Sequence, residues 1–140
     1  MGRVLRTATL RVQPIEPEDL PGVVALCAAE GFGSYTEDAG TTWRALTNPG
    51  VTTLVAVQDG RVLGVAQMLS DGVIQAFLVL LIVHPEARGL GLGRRLVEEA
   101  FARAGGKRVD LLAEEGAQDF YTRFEHRLKP GFRLYPDPPG

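Results

Sequence analysis

From residue 51 the chain alternates between apolar runs and short polar breaks. "TTLVAVQ" (52–58), "RVLGVAQMLS" (61–70) and "VIQAFLVLLIV" (73–83) each have the length and β-branched content of a strand. Asp59-Gly60 and Asp71-Gly72 separate them, and Asp-Gly between apolar runs is a strong hairpin signal. Three antiparallel strands in a meander follow. The third is almost continuously apolar, as expected for a central strand covered on both faces. Beyond a glycine-bearing break, Leu92, Leu96 and Ala100 mark one face of a helix that ends at Gly105-Gly106. "KRVDLLA" (107–113) reads as the next strand, and strand, helix, strand in this order predicts a parallel crossover.

Upstream, residues 1–8 read as a loose arm and "TLRVQPIE" as a strand. "PEDLPGVVALCAAEG" predicts a helix, with Pro17, Glu18 and Asp19 in its first turn, Gly31 at its end, and a core stripe of Leu20, Val24 and Cys27. "GFGSYTEDAG" is a polar loop, and "AGTTWRALTNPG" a second short helix stopped by Asn48-Pro49-Gly50. Downstream, "AQDFYTRFEHRL" predicts an amphipathic helix and "GFRLYPDPPG" a short last strand ended by prolines. No repeat or linker divides the chain. The expectation is one α/β domain over residues 1–140 with a mixed sheet flanked by helices.

Composition narrows the function. A formal net charge of −2 argues against nucleic-acid binding through phosphate contacts. Cys27 is the sole cysteine and the two histidines lie far apart, so neither an intrachain disulfide nor Cys/His zinc spacing is available, and no metal is expected. The segment "MGRVLRTATL" lacks a signal-peptide pattern, and "FLVLLIV" is far short of the roughly 20 residues that span a bilayer. A cytoplasmic protein with no membrane attachment is the expectation.

The break after the third strand, "HPEARGLGLGRRL" (84–96), carries Pro85, Gly89, Gly91 and Gly93 among Arg88, Arg94 and Arg95. Placed between a strand and a helix, it leads into a helix N-terminus, with its free N–H groups and partial positive charge. Glycines let phosphate oxygens approach the main chain. The segment reads either as a phosphate or pyrophosphate cradle or as a plain strand-to-helix turn with solvated arginines. A dinucleotide fold is the rival, since Asp110 lies about 20 residues downstream, near the spacing of a ribose-binding acid. The pattern, however, is Gly-x-Gly-x-Gly and follows an antiparallel meander, which disfavours that rival.

"VHPEARGLGLGRRLV" resembles motif A of the GCN5-related N-acetyltransferases, whose pattern Gln/Arg-x-x-Gly-x-Gly/Ala is filled by Arg88, Gly91 and Gly93. Ala117, Phe120 and Tyr121 resemble the family's A-x-x-F-Y segment, and Gly131-Phe132 its closing Gly-Phe. The resemblance implies an antiparallel N-terminal meander, a splayed parallel strand pair, and acetyl-CoA as co-substrate. Its pantetheine arm would pair with backbone at Leu81, Ile82 and Val83. Its pyrophosphate would sit beside Arg88 on the N–H groups of Gly89, Leu90, Gly91, Leu92, Gly93 and Arg94. A main-chain donor near Ile82 would polarise the thioester carbonyl, and a primary amine would attack directly. The family's acid would be Tyr121, protonating the departing thiolate; the other reading of Tyr121 is a core aromatic beside Phe120 and Phe124.

No base is evident. Relatives often carry a glutamate on the central strand, whereas "FLVLLIV" has none, and Gln75 cannot act as a carboxylate. Glu114 reads as a solvated loop acid that could otherwise bridge a water to the amine, and His84 as a surface residue. Glu37 and Asp38 are candidates for attracting a cationic acceptor. Nine residues, "TRFEHRLKP", separate Tyr121 from Gly131 where relatives have a few, and the chain stops where relatives continue into another strand. That leaves a sheet edge which admits a homodimer. The expected activity is acetyl transfer from acetyl-CoA to an unidentified small-molecule or peptide amine. The alternative is a non-catalytic acyl-CoA-binding or interaction module on the same fold.

Overall fold

The computed structural model describes residues 10–137, so the arm expected over residues 1–8 lies outside the described residues. The chain forms two compact units, one ending at Asp110 and the other beginning at Leu111. The elements of the first are β1 (Arg11–Pro14), α1 (Leu20–Ala29), α2 (Ala39–Thr47), β2 (Val51–Gln58), β3 (Arg61–Ser70), β4 (Gln75–Val83), α3 (Leu92–Ala104) and β5 (Arg108–Leu111), whose last residue belongs to the second. The strands lie in the order β1-β2-β3-β4-β5, antiparallel from β1 to β4, with β4 and β5 parallel. This is the mixed sheet the sequence predicts.

Strand pairing fixes what each face carries. Val65 pairs with Val55 and Ile82, and with them covers one face. There they pack with Leu80, with Val23, Leu26 and Cys27 of α1, and with Leu46 of α2. Gly64, the next residue of β3, points to the other face and receives α3. A Cβ at Gly64 would lie 2.9 Å from Leu96 Cδ1 and 3.3 Å from the Ile82 carbonyl oxygen, so only glycine lets the helix sit this close. The predicted α3 stripe of Leu92, Leu96 and Ala100 is buried, together with Val97.

The α1 stripe differs from expectation: Val23, Leu26 and Cys27 are buried, while Leu20 and Val24 are only half-buried. Gly22 explains the rotation, because its missing side chain admits Val62 of β3, whose Cγ2 would lie 2.7 Å from an added Cβ. The helix ends as predicted at Gly31, with φ of +84°, and the Phe32 N–H closes on the Cys27 carbonyl at 2.9 Å.

The two Asp-Gly hairpins are not alike. Asp59 and Gly60 both have positive φ, +52° and +75°, as a two-residue type I′ turn requires. Asp71 opens a longer loop instead, its carboxylate accepting N–H bonds from Val73 and Ile74 at 2.7 Å and from Gln75 at 3.2 Å. These bonds, first that of Ile74, lower its pKa, and β4 therefore begins at Gln75 rather than Val73.

In the second unit, α4 covers only Gln118–Thr122, shorter than the predicted helix. Phe120 packs edge-on against Tyr121 (centroids 4.9 Å apart) and Phe124 (5.4 Å), and the last turn tightens as the Phe124 N–H bonds to the Tyr121 carbonyl. Pro130 then disfavours helical geometry at Lys129. Residues 125–137 contain neither helix nor strand, so the short strand expected after Gly131 is absent among the described residues. Gly131 instead lies against Leu112, whose side chain would collide with any added Cβ.

Candidate functional site

The loop between β4 and α3 is built from its backbone conformation. His84 caps the turn Pro85–Ala87, its Nδ1 accepting the Glu86 N–H at 3.0 Å, which commits that ring nitrogen to structure. Gly89 and Gly91 both have φ of +80°, a region that disfavours every residue with a Cβ, and an added Cβ at either would meet nothing within 4 Å. Gly91 leads directly into α3, whose first i→i−4 bond is Arg95 N–H to Gly91 C=O at 3.1 Å. The amides of Leu92, Gly93 and Arg94 precede it, at the positive end of a thirteen-residue helix. Bare backbone, open space and oriented N–H groups thus coincide, and the residues fit a pyrophosphate.

The arginines are less available than the sequence suggests. Arg88 donates from Nε to the Val83 carbonyl at 3.0 Å and pairs with Glu30 at 3.2 Å. Arg94 pairs with Glu98 at 3.0 Å and Arg95 with Glu99 at 2.6 Å, each one helical turn on. Such partly exposed pairs are weak and exchange readily, so the main chain is the fixed part of this loop.

Strand β4 supplies a second feature that the sequence does not reveal. Gln67 pairs with Leu80 and Met68 with Leu78, which leaves Val79 as an extra residue: a β-bulge in mid-strand. Pairing towards β5 starts at the other end, where the Lys107 N–H bonds to the Ile74 carbonyl at 2.7 Å. Strand β5 has four residues against nine in β4, so a ladder that starts at that end and has the length of β5 spans less than half of β4. The edge from the bulge through Leu81, Ile82 and Val83 runs beyond it. Backbone polar groups on such an edge can accept another extended chain.

Of the acceptor candidates, Asp38 is the N-cap of α2. Its carboxylate accepts the Thr41 N–H at 2.9 Å and the Thr41 hydroxyl at 2.7 Å, and these bonds lower its pKa. Glu37 precedes it on the exposed surface. One interior polar group on this side of the sheet is not among the candidates that the sequence suggests. Gln67, 4% exposed, accepts the Tyr35 hydroxyl at 2.5 Å and donates to the Ala45 carbonyl at 3.1 Å. A glutamine inside the apolar run "RVLGVAQMLS" was the available signal, since a buried amide needs partners.

In the second unit, burial and then the charge of Glu114 push the Tyr121 phenol up to about 12. It is a protonated hydroxyl at neutral pH, able to donate. Gln75 is engaged by Arg108 at 2.6 Å and by its own bond to the Ala76 carbonyl. Among the described residues no three His, Cys, Asp or Glu side chains cluster as metal ligands, and no helix is long and apolar enough to cross a membrane.

Comparison with known proteins agrees with this fold. The profile of the acetyltransferase (GNAT) domain matches residues 49–126, more than half of the chain. Serotonin N-acetyltransferase 2, chloroplastic, of Oryza sativa subsp. japonica is 36% identical over 81 residues, covering 56% of this chain and 38% of that protein. A Deinococcus radiodurans R1 protein classed as a candidate acetyltransferase is 27% identical with a TM-score of 0.71, over 96% of this chain and 94% of its own. A transcriptional regulator from Bacillus halodurans C-125 shares the fold at 18% identity and a TM-score of 0.76, over 90% of this chain and 99% of its own.

Proposed function

The chain belongs to the GNAT acetyltransferase family, and from that premise we propose that it moves an acetyl group from acetyl-CoA to a primary amine. The observation that carries this reading is the backbone cradle: two glycines at φ of +80° opening onto unobstructed space at the start of α3. Gly89 to Arg94 hold the pyrophosphate through main-chain N–H groups. Leu81, Ile82 and Val83 offer the β4 edge to the pantetheine arm, and Arg88 holds the Val83 end of that edge in place.

The bulge adjusts one expectation. The N–H that polarises the thioester is assigned to Val79, where the ladder is interrupted, rather than to Ile82, which is regularly paired with Val65. A donor aimed at developing negative charge lowers the barrier by roughly 3–4 kcal/mol. The amine nitrogen bonds to the acetyl carbon, the carbon–sulfur bond breaks, and the thiolate takes a proton, for which Tyr121 is the assigned donor. The nitrogen's extra proton goes to solvent, since β4 carries no carboxylate. Glu37 is assigned to a cationic part of the acceptor, with Asp38 fixing the helix beside it.

Incubating the protein with acetyl-CoA and a panel containing serotonin, a polyamine and a peptide with a free N-terminus, while following thiol release, tests the reading. Release dependent on an amine supports it. Absence of release with every amine, while CoA still raises the melting temperature, favours a CoA-binding module instead.

A further inference from the structure

The side of the sheet that carries α1 and α2 contains a hydrogen-bond system which the transfer reaction does not by itself require. Gln67 lies in β3 directly opposite Leu80, the first residue past the β4 bulge. Residues so paired stand about 5 Å apart. Both functions of its amide are used, and on different segments. The oxygen accepts from Tyr35, in the turn Gly33–Tyr35 between α1 and α2, and the nitrogen donates to Ala45 in the last turns of α2. The two bonds fix which way the amide faces. A third bond closes the system: the Thr42 hydroxyl donates to the Tyr35 carbonyl at 2.8 Å. The Tyr35 ring packs on the core cluster, while Thr36, Glu37 and Asp38, which follow it, are exposed.

We propose that Gln67 is a positioning residue for the amine acceptor: it clamps the Gly33–Asp38 segment to the part of β4 where the bulge interrupts the ladder. The assignment of the acceptor to that segment rests on the acetyl-transfer reading above; the clamp itself rests on the hydrogen bonds. One side chain thereby ties together the segment carrying Glu37 and the strand position assigned to the thioester carbonyl. A glutamine suits this task because it donates and accepts at once and stays neutral at every pH, so it is buried without a charge. Leucine or methionine would fill the same volume and hold neither segment.

The test compares Tyr35→Phe, Gln67→Met and Thr53→Val in the full chain. Thr53 is the matched structural control, because its buried hydroxyl donates to the Leu46 carbonyl of α2 at 2.7 Å and leaves the 33–38 segment alone. Hydrogen–deuterium exchange of the 33–38 amides is measured with CoA present. Kinetics use whichever panel amine the parent acetylates. Tyr35→Phe and Gln67→Met should each speed exchange over 33–38 at least tenfold. They should raise the acceptor KM at least fivefold, with kcat and CoA affinity within twofold of the parent. Thr53→Val should lower the melting temperature and leave both readouts at parental values. Parental exchange in a folded Tyr35→Phe protein overturns the clamp, as does a Thr53→Val protein that behaves like the other two; Tyr35→Phe decides alone if Gln67→Met does not fold. A parent that acetylates no amine overturns the transfer reading, while the exchange data still decide the clamp.

Discussion

Replacing Gly91 with alanine separates two effects that glycine combines at that position. The first is conformational. At φ of +80° an L-residue is strained by about 1–2 kcal/mol, partly offset by the lower entropy of the unfolded alanine chain, so the ligand-free protein should lose about 1 kcal/mol. At this chain length that corresponds to a fall in Tm of roughly 3–5 °C. The second effect needs ligand. The new Cβ would stand in space that holds no protein atom within 4 Å, and a pyrophosphate lying on the Gly89–Arg94 amides would have to withdraw from it. Gly60→Ala is the control: Gly60 has φ of +75° and equally open surroundings, but sits in the β2–β3 turn. Both variants should lose similar thermal stability. Only Gly91→Ala should weaken CoA binding in titration calorimetry, by tenfold or more, or at least about 1.4 kcal/mol. Equal CoA affinity in the two variants would refute the placement of the pyrophosphate.

Tyr121→Phe should lower kcat by roughly 10²–10⁴ with Tm and CoA affinity little changed; an unaltered kcat removes the phenol from the mechanism. With the folded phenol held at about 12 against an ordinary 10, its contribution to stability is complete below pH 10 and is lost as pH rises towards 12. Glu114→Gln should move its ultraviolet titration down. Asp38→Ala should destabilise α2, and because the Asp38 pKa is lowered, the parent's advantage should persist above pH 4 and vanish as acid protonates the cap; Glu37→Gln should instead raise the acceptor KM at unchanged stability. Cys27, fully buried and pushed up to about 11 by that burial, should resist iodoacetamide at neutral pH until the protein is unfolded, and rapid labelling of the native protein would contradict the core placement.

The elements that sequence predicts well here are those whose signals are local. Asp59-Gly60 marks its turn because few residue pairs adopt two positive φ values, and Leu92, Leu96 and Ala100 mark α3 by spacing alone. The bulge at Val79 leaves no such trace: Leu78, Val79 and Leu80 are all apolar, and the irregularity arises from how β4 registers against Gln67 and Met68. Of the α1 stripe that spacing predicts, Cys27 is buried, while Val23 and Leu26 take the places of Leu20 and Val24, because a glycine, not a large side chain, determines the contact with Val62. Downstream, the spacing of Phe120 and Phe124 overstates the helix: α4 ends at Thr122, and Phe124 packs edge-on against Phe120 from beyond its end.

The missing base has a consequence that the Gln67 system makes sharper. Strand β4 carries no acid, and the buried polar side chains opposite it and beside it on this face, Gln67 and Thr53, cannot take up a proton near neutral pH. If solvent alone removes the proton, kcat/KM should rise with pH along the titration of the acceptor's own ammonium group, because only the free amine attacks. A protein base would instead fix the ascending limb at one pH for every acceptor. Two acetylated amines whose solution pKa values differ by about 2 units should therefore give ascending limbs displaced by about the same interval. Coincident limbs would require a titrating group in the protein, and would direct attention to Glu37 and Glu114 rather than to β4.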